Sequence, residues 1–270
     1  MITIYPLREF KLPITVDCVN PDIFQNGHCR EIVDSKVWEG NKQKKLRELF
    51  RIEEAGLEDS TIAVCGDVSK VRRIGACMTS GTVIINGDVG MHLGEEMKGG
   101  KIIVNGNVGS WAGSMMKGGE IKIHGNVGDY LGAPYRGSDE GMAKGRIIVY
   151  GTVGNEAGAH MKSGMLKIYG SVGQFTGFRM HDGTIYVQKD CAGRVGACME
   201  GGKIIIGGCL ESVLPTFTID SVKAKVKIEE GEIVGKPFYV FLGDLAENGN
   251  GKLYVLKEKN PQLSHFERFL

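Results

Sequence analysis

Residues 99–119 read GGKIIVNGNVGSWAGSMMKGG, and residues 80–100, just before them, read SGTVIINGDVGMHLGEEMKGG. Nearly the same phrase is written twice, end to end, with its glycines and methionine in the same places. Taking Lys101 as the start of a unit, further copies begin at Thr82, Glu120, Arg146, Met165, Thr184 and Lys203. The interval is nineteen residues throughout, except that the unit at Glu120 has twenty-six; its seven extra residues fall within 133–141, APYRGSDEG. A looser copy begins at Thr61 and is two residues longer, around 70–74. A fixed period of this length marks a stacked repeat architecture.

The columns of the repeat carry the physics. Column two is Ile62, Val83, Ile102, Ile121, Ile147, Leu166, Ile185 and Ile204, and column four is Val64, Ile85, Val104, Ile123, Val149, Ile168, Val187 and Ile206. Apolar residues two apart give a strand with one buried face. Column eight is valine six times (Val68, Val89, Val108, Val127, Val153, Val172) and then Cys191. Column sixteen is methionine in seven units: Met78, Met97, Met116, Met142, Met161, Met180 and Met199. The strand ends at a glycine followed by a short polar residue, as in Asn86-Gly87-Asp88 and Asn105-Gly106-Asn107. Gly accepts positive φ and Asn or Asp bonds its own backbone, so these are turns. A hairpin meander has similar turns but no reason to keep a nineteen-residue period. A chain that returns to the same place each unit does. The expectation is a mainly β protein: a right-handed parallel β-helix of seven to eight coils, about 4.8 Å apart and on the order of 35 Å long. Columns two, four, eight and sixteen line its interior, and the glycines make its corners. Unbranched, adaptable methionine suits such an interior better than it suits a soft-metal conduit. Gly106 and Gly125 are expected at positive φ or where a Cβ would strike the next coil; Lys189 stands in that column in its own unit.

Composition agrees. Of 270 residues 41 are glycine, about twice the usual share, and 42% are hydrophobic, which excludes a disordered glycine linker. A net charge of +1 gives no reason to expect nucleic acid or an anionic membrane as partner. No apolar run is long enough to span a bilayer, and the first residues lack the pattern of a signal peptide. Seven cysteines, an odd count without a CxxC, read as reduced cytosolic thiols, with Cys18 and Cys29 as two separate ones.

The flanks do not repeat. We expect a mixed α/β cap over 1–60, the β-helix over 61–210 and a β cap over 211–270, because an open end would expose unpaired strand groups. In the first flank, MITIYPL reads as a strand and 36–56 as a helix ending at Gly56, its basic residues (Lys42, Lys44, Lys45, Arg47, Arg51) on a solvated face. In the last, residues 222–256 alternate as strands, and Asn248-Gly249-Asn250-Gly251 is a hairpin-like turn.

No phosphate loop, HExxH or dinucleotide fingerprint is present. The six histidines fall in different columns. His160 and His181 lie in adjacent coils without a partnered ligand set, so no catalytic, cofactor or metal residue is assigned. Two departures from a smooth prism are candidate partner contacts. Column three points outward, yet six of its eight residues are apolar: Ala63, Ile84, Ile103, Lys122, Ile148, Lys167, Tyr186 and Ile205. Of these, Ile84, Ile103, Ile148, Tyr186 and Ile205 form a stripe that the flanks or another protein must cover. The second departure is the insertion, with Pro134, Tyr135 and Arg136; Tyr and Arg are enriched at interface hot spots.

The pattern Gly-x-x-Met-x-x-Gly-x-[Ile/Leu]-x-[Ile/Val]-x-Gly begins at Gly94, Gly113, Gly158 and Gly196. It is nearly met from Gly75, where Val83 replaces Ile or Leu, and from Gly177, where Lys189 replaces the last glycine; from Asp139 the first glycine is missing. With seven copies over most of the chain, the sequence resembles the C subunits of formylmethanofuran dehydrogenase, an archaeal enzyme that fixes carbon dioxide onto methanofuran in the first step of methanogenesis from CO2. It is more distantly similar to the glycine-rich C-terminal β-helix of the glutamate synthase large subunit. The first resemblance implies a structural, non-catalytic member of a cytoplasmic oxidoreductase complex. It also implies that other subunits carry the tungsten or molybdenum pterin, the iron–sulfur clusters and the dinuclear metal site. The implied partners are an amidohydrolase-like subunit and the molybdopterin-type subunits. The second resemblance implies a module that docks an amidotransferase or related oxidoreductase subunit. Hexapeptide acyltransferases are also β-helices, but their coils run in multiples of six.

Overall fold

The computed structural model describes residues 1–26, 32–54 and 60–270. The protein is mainly β, built on one thirteen-stranded sheet that is parallel through most of its width. Every repeat gives it one strand, and the unit starts read from the sequence are the register. Thr61 pairs Thr82, Thr82 pairs Lys101, and Lys101 pairs Glu120. The 26-residue unit keeps step, Glu120 pairing Arg146, and Met165, Thr184 and Lys203 follow in order. A second ladder of single parallel bridges runs along column eight, from Val68–Val89 to Val172–Cys191 and on to Leu210. Each unit therefore passes the same two places, stacked on its predecessor.

The inward columns are buried as their period requires. Lys101–Val104 alternates half-buried and buried, and all seven column-sixteen methionines have no exposed surface. The corners use glycine in two ways. The motif glycines Gly75, Gly94, Gly113, Gly158, Gly177 and Gly196 hold φ between +61° and +71°. Gly106 and Gly125 do not; there a Cβ would lie 2.4 Å from the carbonyl oxygen of Gly87 or Gly106 in the preceding unit. At Gly106 and Gly125 close approach, not dihedral freedom, selects glycine, whereas Gly66 and Gly87 in the same column hold φ of +112° and +150°. Cys18 and Cys191 are buried, and burial pushes the Cys191 thiol up to about 12. Cys29 lies outside the described residues.

Both flanks join the stack. Ile2–Pro6 runs parallel to Thr61–Cys65, with Ile2 opposite Ile62 and Ile4 opposite Val64, so columns two and four continue into the first residues. At the other end Gly251–Leu256 lies parallel to Lys203–Ile206, and Leu253 and Val255 extend the same columns. The expected turn before it closes an antiparallel pair with Phe238–Gly243.

The helix expected over 36–56 is not there. Lys36–Glu39 and Lys42–Lys45 form a hairpin, one helical turn follows at Leu46–Leu49, and Phe50–Glu54 pairs antiparallel with Ile2–Pro6. Gly56, the expected helix end, lies outside the described residues. The reason is local. Gly40, at φ +58°, makes a two-residue turn with Asn41, and Val37 and Glu39 are buried in alternation. The basic cluster lies partly on a hairpin edge, where lysines discourage further strand pairing. This hairpin, Ile14–Thr15 and Val71–Arg72 make a four-stranded sheet at the N-terminal end of the stack. Among the described residues no helix is long and apolar enough to cross a membrane.

Candidate functional site

Column three divides in mid-molecule. In its C-terminal half Tyr186 and Ile205 are buried, 7% and 0% exposed, against Val226 and Ile228 of a small antiparallel hairpin, Val226–Glu229 with Glu232–Val234, and against Phe238, Val240 and Tyr254. Expected as partner contacts, these two are instead covered by the chain's own last segment. Alternation shows that a residue points outward but not that a later stretch folds over it.

The hairpin is held by charge as well. The Arg146 guanidinium donates to Glu229, with Nη2 2.7 Å from Oε1. Lys167, 5% exposed, lies 3.3 Å from Glu229 and also pairs with Glu232. Lys203 Nζ donates to the Lys227 carbonyl at 2.7 Å. The hydrogen bond from Arg146 leads in holding the Glu229 carboxyl below its usual range. Burial acts to lower the Lys167 ammonium, but its bonds to Glu232, Tyr169 and Glu229 outweigh this and raise it.

From Ile84 to Ile148 no such cover is present among the described residues. Ile84, Ile103, Lys122 and Ile148 are half-buried. Beside them, column five is an outward ladder: Asn105 Nδ2 donates to Asn86 Oδ1 at 2.8 Å, and the rings of His124, Tyr150 and Tyr169 stack 5.0 Å apart. The Lys122 ammonium sits 5.4 Å from the centre of the Tyr150 ring.

The insertion is folded down onto the stack. Pro134 is buried, which removes it from the exposed loop residues, whereas Tyr135 and Arg136 remain exposed. The Tyr135 hydroxyl donates to Glu95, a carboxylate 2% exposed that also accepts from Arg73. Arg73 reaches in turn to Asp17 of the N-terminal flank. Burial, then the bond to Glu95, raises the Tyr135 phenol well above its ordinary value. Arg136 Nη2 donates to the Tyr130 hydroxyl at 2.8 Å, and the Tyr130 ring stacks on Trp111 at 4.4 Å, which stacks on His92 at 5.4 Å.

That stack is a column the repeat pattern does not reveal by composition. Arg73, His92, Trp111, Tyr130, Glu156, Phe175 and Arg194 occupy equivalent places in their units, all at φ between +58° and +68°. Bulky side chains rarely accept this region. The signal in the sequence is a turn column that holds large residues where the neighbouring turn column holds glycine.

His160 feels His181: burial first, then the charges of Arg179 and His181, lower its pKa, while His181 Nδ1 lies 3.0 Å from Glu200. Among the described residues no group of three or more His, Cys, Asp or Glu is gathered to hold a metal. What the surface offers is contact: an apolar stripe with a lysine in it, and an aromatic ladder strapped by the insertion.

No family model matches the chain. It is 47% identical over 261 residues to the C subunit of tungsten-containing formylmethanofuran dehydrogenase 2 from Methanococcus maripaludis, an alignment covering 94% of this chain and 96% of that protein. With the C subunit of molybdenum-containing formylmethanofuran dehydrogenase 1 from Methanothermobacter marburgensis it shares 45% identity over 89 residues, 33% of this chain and 22% of the other. The match thus spans less than a quarter of the molybdenum-type relative. Its fold is similar to a chain in the crystal structure of the formyltransferase/hydrolase complex FhcABCD from Methylorubrum extorquens with methylofuran. The TM-score is 0.84 at 25% identity, over 94% of this chain and 99% of that one. On the full-length alignment with the tungsten-type relative, the chain belongs to the family of formylmethanofuran dehydrogenase C subunits.

Proposed function

We propose that this chain is a structural, non-catalytic scaffold of a formylmethanofuran dehydrogenase complex, which reduces CO2 and couples it to methanofuran to give N-formylmethanofuran. The observation that carries the reading is the full-length alignment with a tungsten-type C subunit. Two parallel ladders advancing once per unit support a right-handed parallel β-helix as its form, with 1–60 and 211–270 as caps. The tungsten or molybdenum pterin, iron–sulfur clusters and dinuclear metal site belong on other subunits, a reading that rests on the resemblance and on the metal in the relatives' names. Partners are an amidohydrolase-like subunit and the molybdopterin-type subunits, met in the cytoplasm through Ile84, Ile103, Ile148, Tyr135 and Arg136.

The test is affinity purification of the tagged chain from its native source. Recovery of an amidohydrolase-like and a molybdopterin-type subunit, with formylmethanofuran dehydrogenase activity in the eluate, supports the proposal. Recovery of the chain alone, or with an amidotransferase subunit of glutamate synthase type, overturns it.

A further inference from the structure

We propose that the open half of column three, Ile84, Ile103 and Ile148 around Lys122, receives an extended segment of another subunit in which a carboxylate follows apolar residues, as Glu229 follows Val226 and Ile228. The proposal rests on the scaffold reading and names the chemistry of what docks. The molecule carries its own template for such a cover. Where column three is closed, the outward Tyr186 and Ile205 meet Val226 and Ile228, and the column's lysine, Lys167, meets Glu229 and Glu232. Where it is open, the pattern of the surface is the same: apolar residues with one lysine among them.

The two lysines differ only in what faces them. Lys167 is 5% exposed and paired with two carboxylates of the hairpin. Lys122, two units earlier in the same column, is half-buried and sits over the Tyr150 ring; among the described residues no carboxylate pairs with it. An ammonium set in an apolar stripe attracts a carboxylate that brings apolar neighbours with it, because the pair strengthens as water leaves. The patch is bounded. Ala63 beyond Ile84 is 7% exposed, and Lys167 beyond Ile148 is already covered. From Ile84 to Ile148 is three steps between strands, about 14 Å, which four to five extended residues cross.

The experiment places a photoreactive p-benzoylphenylalanine at Ile103 in the tagged chain, expressed with the other subunits of its complex. Ultraviolet light then captures what lies on the stripe, and mass spectrometry reads its sequence. The expected product is a peptide of another subunit with apolar residues next to Asp or Glu. Lys122→Glu is expected to lower recovery of that subunit about tenfold, Lys122→Gln less, and exchange of the captured acid for lysine to restore it in the Lys122→Glu background. Ile233→Lys, on the outer side of the hairpin and 56% exposed, is expected to recover every subunit. The inference is overturned if the complex assembles with the probe at position 103 but no cross-link forms. It is also overturned if the captured peptide is a second copy of this chain or lacks acidic residues, or if neither Lys122 variant changes recovery. A tagged chain that brings down no other subunit defeats the scaffold reading itself, and the inference with it.

Discussion

The Tyr135 hydroxyl donates to the Glu95 carboxylate, forty residues earlier in the chain. Glu95 is buried and also accepts from Arg73, which holds Asp17. One carboxylate thus ties the insertion, two repeat units and the N-terminal flank together. Tyr135→Phe removes the bond to Glu95 and a long one, 3.5 Å, from Arg73 and leaves Glu95 paired with Arg73, so it should cost about 1 kcal/mol. Glu95→Ala removes the buried acceptor of both the phenol and Arg73, leaving Arg73 only Asp17 and the phenol, and should cost about 2 kcal/mol or more. Urea melts of the two variants check the order; equal costs would mean that the carboxylate is not the anchor.

The Gly106 corner is fixed by the backbone of the preceding unit. Gly106→Ala should destabilise clearly, because its Cβ meets a carbonyl oxygen at 2.4 Å and a backbone carbon at 2.5 Å. Gly235→Ala has nothing within 4 Å and should stay within about 0.5 kcal/mol of the wild type. Thermal melts of the pair separate close approach from a general effect of replacing glycine.

Met116 is fully buried in the middle of its column. Met116→Asp buries a carboxylate among apolar side chains and should cost several kcal/mol unless the group is neutralised. Met116→Leu should cost less than about 1.5 kcal/mol. An Asp variant that melts at the wild-type temperature would place column sixteen outside the core.

The hairpin over Tyr186 and Ile205 should loosen in acid. The folded state holds the Glu229 carboxyl below its ordinary value of 4.5, led by the bond from Arg146. Its contribution is therefore full above that value and fades as pH falls through the lower, folded one. Glu229→Gln should be less stable than the wild type near pH 7, and the gap should close as both are acidified. Melts across that window check the sign; a gap that widens in acid would contradict it.

The repeat is legible in the sequence because eight copies read the same columns, so an accident in one unit cannot mislead. Pairing of Thr82 with Lys101 and of Glu120 with Arg146 follows directly from those columns. The N-terminal flank has one copy and no such averaging: Leu46, Leu49 and Phe50 fit a helical spacing, yet the Gly40-Asn41 turn and the edge of the large sheet decide for strands. The apolar stripe is legible as outward-facing. Which half the chain covers is not, since that depends on where Val226 and Ile228 land, a contact between residues far apart in sequence. The Trp111 and Tyr130 column is not read from the repeat because its residues differ from unit to unit, and left-handed backbone is expected of glycine rather than of bulky residues.

Whether the open stripe is an interface or part of the fold decides how this chain works. Ile103→Lys, read in two ways on one preparation, tests this most directly: the melting temperature of the free chain, and recovery of the other subunits when the tagged chain is purified with them. Ile103 is half-buried at the surface while Ile205, in the same column, is fully covered. An interface predicts that Ile103→Lys keeps the wild-type melting temperature and loses a partner subunit, whereas Ile205→Lys unfolds the hairpin end. Full recovery of every subunit with Ile103→Lys, or a collapse of its melting temperature, would contradict it.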